Sequence, residues 1–197
     1  LAICARSADK LELARQELQR SGAEVLALPA DITDKVQAAA MVRDVIDYYG
    51  SLDVVINNAG IIQVGPQESM DLTDYEKAMQ INFWAALYII RAALPYFMEK
   101  GEGRIVNITS IGGKIAVPHL LPYTASKFAL VGFSEGLTAE LKKYNIHVTT
   151  VVPNLMRTGS QRNITVKGNH EAEYAWFKLS GSNPLITQSA ERVAKNV

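Results

Sequence analysis

Ser110-Ile-Gly-Gly-Lys-Ile-Ala-Val-Pro-His-Leu-Leu-Pro-Tyr123-Thr-Ala-Ser-Lys127 decides how the chain is read. It starts where an apolar run, Arg104-Ile-Val-Asn-Ile-Thr109, stops, and it ends inside a helical pattern from Tyr123 to Lys143. A hydroxyl at a strand end thus faces a phenol and an ammonium across a Gly-rich loop. Tyr123 and Lys127 are spaced to share one helical face and act on one small volume. A free phenol titrates near pH ~10 and handles protons poorly at neutral pH. A fixed ammonium beside it stabilises the phenolate and brings it towards the range of acid–base catalysis. The plain alternative is an amphipathic helix with Tyr and Lys on its surface, and Tyr-x-x-x-Lys alone does not decide against it.

Composition bounds what surrounds this stretch. The chain has 197 residues, 48% hydrophobic, with 20 basic against 20 acidic side chains and one cysteine. That length suits one domain, residues 1–197, with a single large core. A balanced charge offers nucleic acid or an anionic membrane no electrostatic footing. The lone Cys4 rules out an intrachain disulfide framework and reads as a small buried hydrophobe. The longest uninterrupted apolar run, Phe83 to Ile90, is far shorter than the ~18 residues of a spanning segment, so no membrane segment is expected. With no signal peptide visible, a cytoplasmic location is expected.

Outward from the central stretch, strand and helix patterns alternate. Leu1–Ala5 reads as a strand, Ser7 as the cap of a helix to Arg20, and Gly22 as its stop. Glu24–Leu28 is a second strand, and Asp31 or Thr33 caps a helix ending at Tyr49 and Gly50. Asp53–Asn57 is a third strand whose Val/Ile run suits burial on both faces. Thr73-Asp-Tyr-Glu76 matches a capping box opening a segment to Lys100. Strand Arg104–Thr109, helix Tyr123–Lys143 and strand His147–Val152 follow. The pattern weakens from Asn154 to Gln188, where one helix, His170–Leu179, is expected in an excursion of the size of a substrate lid. A last helix starts near Ser189. The alternation predicts an α/β doubly wound parallel sheet with helices on both faces. In such sheets ligands bind beyond the carboxyl ends of the strands. The residues there are Arg6, Asp31, Asn57-Asn-Ala-Gly60, Ser110 and Pro153-Asn154.

With these residues in view, the chain resembles the short-chain dehydrogenase/reductase family, in its compact single-domain, Rossmann-like branch. The matching motifs are Asp31-Ile32, Asn57-Asn-Ala-Gly60, Asn82, Ser110, Tyr123-x-x-x-Lys127, and Pro153 with Thr158, in order over nearly the whole chain. The resemblance implies an oxidoreductase in which Tyr123 exchanges a proton with a carbonyl or secondary alcohol while a hydride passes to or from nicotinamide. Lys127 is implied to lower the phenol's pKa and bind the nicotinamide ribose, and Ser110 to hold the carbonyl oxygen. Asn82 is implied to interrupt its helix and hold a water of the proton relay. Asp31 and Ile32 are implied to contact adenine. Asn58, Ala59 and Gly60 would line the ribose, Gly60 by close backbone approach. Pro153 ends its strand, and Thr158 would bond the carboxamide. No metal is expected. A homodimer or homotetramer pairing through Phe83–Lys100 and Tyr123–Lys143 is the family default.

Some features depart from the family pattern. Its opening strand, central to the sheet, and the Gly-rich pyrophosphate turn after it are not in this sequence. Its last strand is also not reached, so the chain is expected to be part of a longer one. Asn154 replaces the usual Gly, and its tolerance of left-handed backbone would preserve the turn. Two other readings use the same motifs: a non-catalytic NADP(H)-binding regulator, and an epimerase or dehydratase of the extended branch. Ile62, Val117, Leu121, Leu155, Met156, Tyr174, Trp176 and Phe177 are candidates to wall the substrate, and the aromatics among them favour an apolar one.

The cofactor's identity is read at Ala5 and Arg6. An acidic residue at the end of this strand selects NAD(H) by accepting from the ribose hydroxyls. Here the strand ends without a carboxylate, and Arg6 can meet the extra phosphate with two parallel charge-assisted bonds. NADP(H) is therefore expected over NAD(H), unless Asp9 pairs with Arg6.

Overall fold

The computed structural model describes residues 1–157, 164–182 and 187–195. Its elements follow the expected alternation. Strand β1 (Ala2–Ala5) leads through helix α1 (Ala8–Arg20) to β2 (Leu26–Pro29), and α2 (Lys35–Tyr49) leads to β3 (Val54–Asn57). A two-residue β4 (Gln63–Val64) precedes α3 (Leu72–Met79), which runs through a π-turn at Gln80–Trp84 into α4 (Ala85–Lys100). Then come β5 (Gly103–Ile108), α5 (Leu121–Leu141) and β6 (Ile146–Val151). The C-terminal excursion holds β7 (Met156–Arg157), β8 (Thr165–Val166), α6 (His170–Ser182), β9 (Gln188–Ser189) and α7 (Ala190–Ala194).

All pairings among the described residues are parallel. β3, β5 and β6 form one sheet, in register from Val54↔Arg104 and Gly103↔Ile146. β1 and β2 form a separate pair. Between the pair and the trio lies an open groove of about 790 Å³, lined by β1, β3 and side chains including Val42, Val45, Ala85, Ala86, Ile89 and Leu130. β1 and β3 both face this groove and do not pair with each other. The groove also corrects the reading of β3 as buried on both faces: Val55 is buried, but Val54 and Ile56 are 43% and 59% exposed. A strand with one unpaired edge on an open groove cannot cover its flanking side chains. Cys4 also lines the groove and is half-buried, not fully so.

The main core lies where α2, α4 and α5 close on the trio. Ala38 and Val42 of α2, Ile89, Ile90, Ala93 and Phe97 of α4, and Leu137 and Leu141 of α5 pack with Val55, Ile105 and Ile146 of the strands. Burying a side chain of this size contributes roughly 1.5–3 kcal/mol, which fixes the helices on the sheet. The continuous helical run Leu72–Lys100 is, by length and composition alone, apolar enough to cross a membrane. Here one of its faces is core, and Trp84 and Met98 lie exposed on the rest.

Element ends differ from the sequence reading where a neighbouring side chain caps better. Asp34, rather than Asp31 or Thr33, caps α2 by accepting from Val36 and Gln37 amides. Asp71 and Asp74, rather than Thr73 and Glu76, open α3: the Asp74 carboxylate accepts from the Asp71 amide at 3.1 Å. The helix carrying Tyr123 begins earlier, at Leu121, because Pro122 suits a first turn that needs no amide donor. Asn154 is not left-handed; its Oδ1 accepts from the Leu155 amide at 2.8 Å. The non-glycine residues with left-handed backbone, among those described, are His119 (φ 63°) and Asn145 (φ 57°).

Candidate active site

The strand ends deliver the candidate residues to one edge. Arg6 follows β1, Asp31 follows β2, Asn58–Gly60 follow β3, Ser110 follows β5 and Pro153 follows β6. Thr109 and Ile111 donate amides to the Val151 and Pro153 carbonyls at 2.8 Å each, so the β5 and β6 ends stay in register past the last ladder residue. This holds Ser110 between two fixed neighbours. Its Oγ accepts from the Gly112 amide at 3.1 Å, and it draws the pKa of the Tyr123 phenol down. A Cβ at Gly112 would sit 3.1 Å from the Tyr123 ring and 3.5 Å from Ser110 Oγ, so only glycine leaves that approach open.

Lys127 lies one turn along α5. It is buried, its Nζ is 5.8 Å from the Tyr123 ring centroid, and it donates to the Ile108 carbonyl at 3.0 Å. Burial pushes the ammonium down from 10.5 to about 8. Burial pushes the phenol up, and the Ser110 hydrogen bond opposes this. The sequence reading gave Lys127 the role of lowering the phenol. In this geometry Ser110 provides the opposing pull, while the amine is itself made easier to deprotonate.

Asn82 sits inside the π-turn, which explains how a polar side chain in a helix is turned inward. Its Oδ1 accepts from the Ile61 amide at 2.8 Å. Its Nδ2 donates to the Ile61 carbonyl at 3.1 Å and to Ser126 Oγ at 2.9 Å. Ser126 in turn donates to the Tyr123 carbonyl at 2.7 Å. A Cβ on Gly60 would lie 3.1 Å from Asn82 Oδ1 and 3.6 Å from Lys127 Nζ, so these three residues share one small space.

A second buried polar line was not foreseen. Asn57 donates to Asn107 Oδ1, and Asn107 to Ser134 Oγ, at 2.8 Å each; Ser134 closes on the Leu130 carbonyl at 2.6 Å. It pins α5 to β5 and β3. The signal was present, as small polar residues recurring in an otherwise apolar helix, but their spacing alone names no partner.

The adenosine-side candidates are set differently. Arg6, Asn58, Ala59 and Gly60 are exposed, and Asp31 and Ile32 half-buried. The Thr33 hydroxyl and amide donate to Asp31, at 2.7 and 3.0 Å, and hold its carboxyl below the usual range. Arg6 adds a weaker pull on Asp31 from the neighbouring strand end, and among the described residues it forms no ion pair with Asp9. Pro153 is buried. Thr158 lies outside the described residues.

Beside Tyr123 stands a small apolar cluster. Val64, Leu120 and Phe177 are its buried members, with Ile62, Val117, Tyr123 and Ile164 packed against them. Of the proposed wall, Ile62, Val117 and Phe177 are here. Leu121 and Trp176 are 39% and 40% exposed, and Tyr174 stacks on His170 instead. Leu155 and Met156 are half-buried outside the cluster.

A parallel α/β sheet with these residues at its carboxyl edge defines a class of dinucleotide-binding folds, and comparison narrows it. A family model described as short chain dehydrogenase matches residues 1–168. Dehydrogenase/reductase SDR family member 7C of Xenopus tropicalis is 34% identical over 206 residues, covering 100% of this chain and 65% of its own. A metagenomic short-chain oxidoreductase solved with NADP is 30% identical, with a TM-score of 0.73 over 77% of this chain and 69% of its own. A short chain dehydrogenase/reductase of Burkholderia phymatum solved with NAD has a TM-score of 0.90 over 99% of this chain and 74% of its own, at 20% identity. The chain belongs to the short-chain dehydrogenase/reductase family. It spans less than two thirds of the length of that Xenopus relative.

Proposed function

We propose that this chain carries the catalytic edge of an NADP(H)-dependent oxidoreductase that interconverts a carbonyl and a secondary alcohol. The observation that carries the reading is the half-buried Tyr123 phenol, its ring beside Gly112 and Ser110 and 5.8 Å from the Nζ of a buried Lys127 one turn along the helix. A phenol so placed can give a proton to a substrate oxygen that gains negative charge, and Ser110 can hold that oxygen by a second hydrogen bond. Lys127 favours the phenolate left behind and can recover its own proton from solvent near neutral pH, with Asn82 and Ser126 holding the polar path beside it.

The residues fit a nicotinamide dinucleotide where Gly60 leaves space beside Lys127 and Asn82 that a Cβ would crowd. Asn58, Ala59 and Gly60 would hold the ribose, Lys127 the nicotinamide ribose, Asp31 and Ile32 the adenine, and Arg6 the extra phosphate of NADP(H). When bound, the cofactor supplies the hydride. The protein contributes position and proton. NADP(H) is favoured over NAD(H) because Arg6 presents an exposed guanidinium fork at the β1 end with no carboxylate on that strand.

The substrate is proposed to be apolar, since the cluster of Val64, Leu120 and Phe177 flanks the phenol. A homodimer or homotetramer is proposed through the outer faces of α4, with the π-turn before it, and of α5, where Trp84 and Phe128 are 40% and 43% exposed. The test is the absorbance of reduced nicotinamide, followed with NADPH and with NADH over a panel of ketones in the full-length protein. NADPH oxidation that depends on an added ketone is expected. Nucleotide binding with no turnover on any carbonyl would sink the enzyme reading in favour of a sensor.

A further inference from the structure

The loop leading to Tyr123 is tied to α6 by a contact that the proposed chemistry does not use. His119 Nδ1 lies 2.7 Å from Glu173 Oε2. A carboxylate only accepts, so Nδ1 carries the proton and donates. The Glu173 side chain is only 10% exposed, and a buried carboxylate without a partner would be costly. The His119 ring is additionally 5.6 Å from that of Trp176. His119 also holds left-handed backbone, uncommon for any non-glycine residue, and the Gly65 amide donates to its carbonyl at 2.9 Å. Both backbone and side chain of this one residue are therefore held in place.

The two flanks of the contact lead to the same place. Leu120 follows His119 directly, and Phe177 follows Glu173 by one helical turn on the same face of α6. Leu120 and Phe177 are both buried members of the cluster against which Tyr123 packs. The polar contact at the rim and the apolar contact beneath it are thus made by the same two segments.

We propose that His119 and Glu173 are positioning residues for substrate specificity: they clip α6 to the Tyr123 loop and hold Phe177 as the apolar wall for extended carbonyl substrates. This rests on the carbonyl reading above. With the clip closed, a substrate bearing an apolar chain meets a fixed surface beside the phenol. With it open, that surface must be ordered by the substrate itself, at a cost in affinity. A small ketone that does not reach Phe177 is indifferent to the clip.

The experiment uses the full-length protein with His119→Gly, which suits the left-handed backbone and removes only the imidazole, and with Glu173→Ala, Glu173→Gln and the double variant. Two readouts are taken. Hydrogen exchange of the α6 amides should accelerate in His119→Gly and Glu173→Ala, and return most of the way in Glu173→Gln, which still accepts from Nδ1. KM for a long-chain ketone should rise about tenfold with kcat nearly unchanged, KM for a short ketone should stay, and the double variant should equal either single one. Unchanged exchange in His119→Gly overturns the clip, as does simple additivity in the double variant. Faster exchange with no change in the long-to-short KM ratio overturns its role in specificity. If the unaltered protein reduces no ketone, the carbonyl reading itself has failed, and the exchange data still decide whether the clip exists.

Discussion

Around Tyr123 the polar groups are buried or half-buried and spoken for: Ser110, Asn82, Ser126 and Lys127 each have a named partner within the chain. Around Arg6 the side chains are exposed, and the β1–β2 pair stands across a groove from the sheet. The difference separates two tasks. Groups that handle a proton must be fixed and dry beforehand, because low local polarity sharpens every charge interaction they make. Groups that only receive a ligand can remain in solvent until it arrives. On the proposed reading, the residues that would handle the proton are already tied to partners, and those that would receive the adenosine end lie exposed or half-buried.

The largest test of this contrast is at the phenol. Tyr123→Phe removes one oxygen from the prepared end, and carbonyl reduction should fall by about 10²–10⁴-fold, the span that one positioned proton donor supplies. NADPH affinity, measured by fluorescence, should stay within about twofold of the unaltered protein, a difference well under the ~1.4 kcal/mol of a decade. If most of the activity survived, the prepared end would not be the chemical one.

Lys127 probes what that preparation costs the fold. Burial moves its ammonium from 10.5 to about 8, a penalty of about 3 kcal/mol at neutral pH. The folded pKa is depressed below the unfolded one. The penalty is therefore complete below pH 8 and relieved as pH rises from about 8 to 10.5. Lys127→Met abolishes the charge but leaves the Ile108 carbonyl unpartnered, which returns about 1–3 kcal/mol. The variant should be inactive, yet about 1 kcal/mol more stable in urea at pH 7. At pH 10.5 it should be the less stable of the two. Equal stability differences at both pH values would show that the buried charge is not what strains this site.

The smallest effect is expected at the exposed end. Arg6→Ala should weaken NADPH about tenfold, roughly one charge-assisted hydrogen bond, and leave NADH almost untouched. A loss common to both nucleotides would show that Arg6 does not read the phosphate. Because Arg6 is exposed, its contribution should also shrink with added salt, whereas the effect of Tyr123→Phe should not.

Much of this was legible in the residues. Strand and helix alternation follows from hydrophobic period, and the ligand edge follows from the parallel sheet that alternation implies. Tyr123, Lys127 and Ser110 were expected together because helical spacing and a strand end constrain where side chains point, and they do lie together. What escaped depends on partners distant in sequence. The Asn57–Asn107–Ser134 line crosses three elements, and His119 meets Glu173 across 54 positions. The caps at Asp34 and Asp71 were misplaced because several Asp and Thr residues compete within each short stretch, and only the backbone path chooses among them. β3 was misread because Val54 and Ile56 have the composition of a buried strand, while their exposure is set by the groove beside them.

The π-turn at Gln80–Trp84 has a consequence for how this chain tolerates length changes. A π-turn holds one residue more than the α-helical turn it replaces. In a regular helix, deleting one residue rotates everything beyond it by about 100° and pulls the buried face out of the core. Within Gln80–Trp84 the same deletion can be absorbed by relaxation to ordinary α-helix, leaving α4 with Ile89, Ile90 and Phe97 still facing inward. The loss would fall on Asn82 and its contacts to Ile61 and Ser126. A one-residue deletion here would therefore spare the fold and remove the Asn82 contacts, so the extra residue serves the placement of Asn82 rather than the packing of α4.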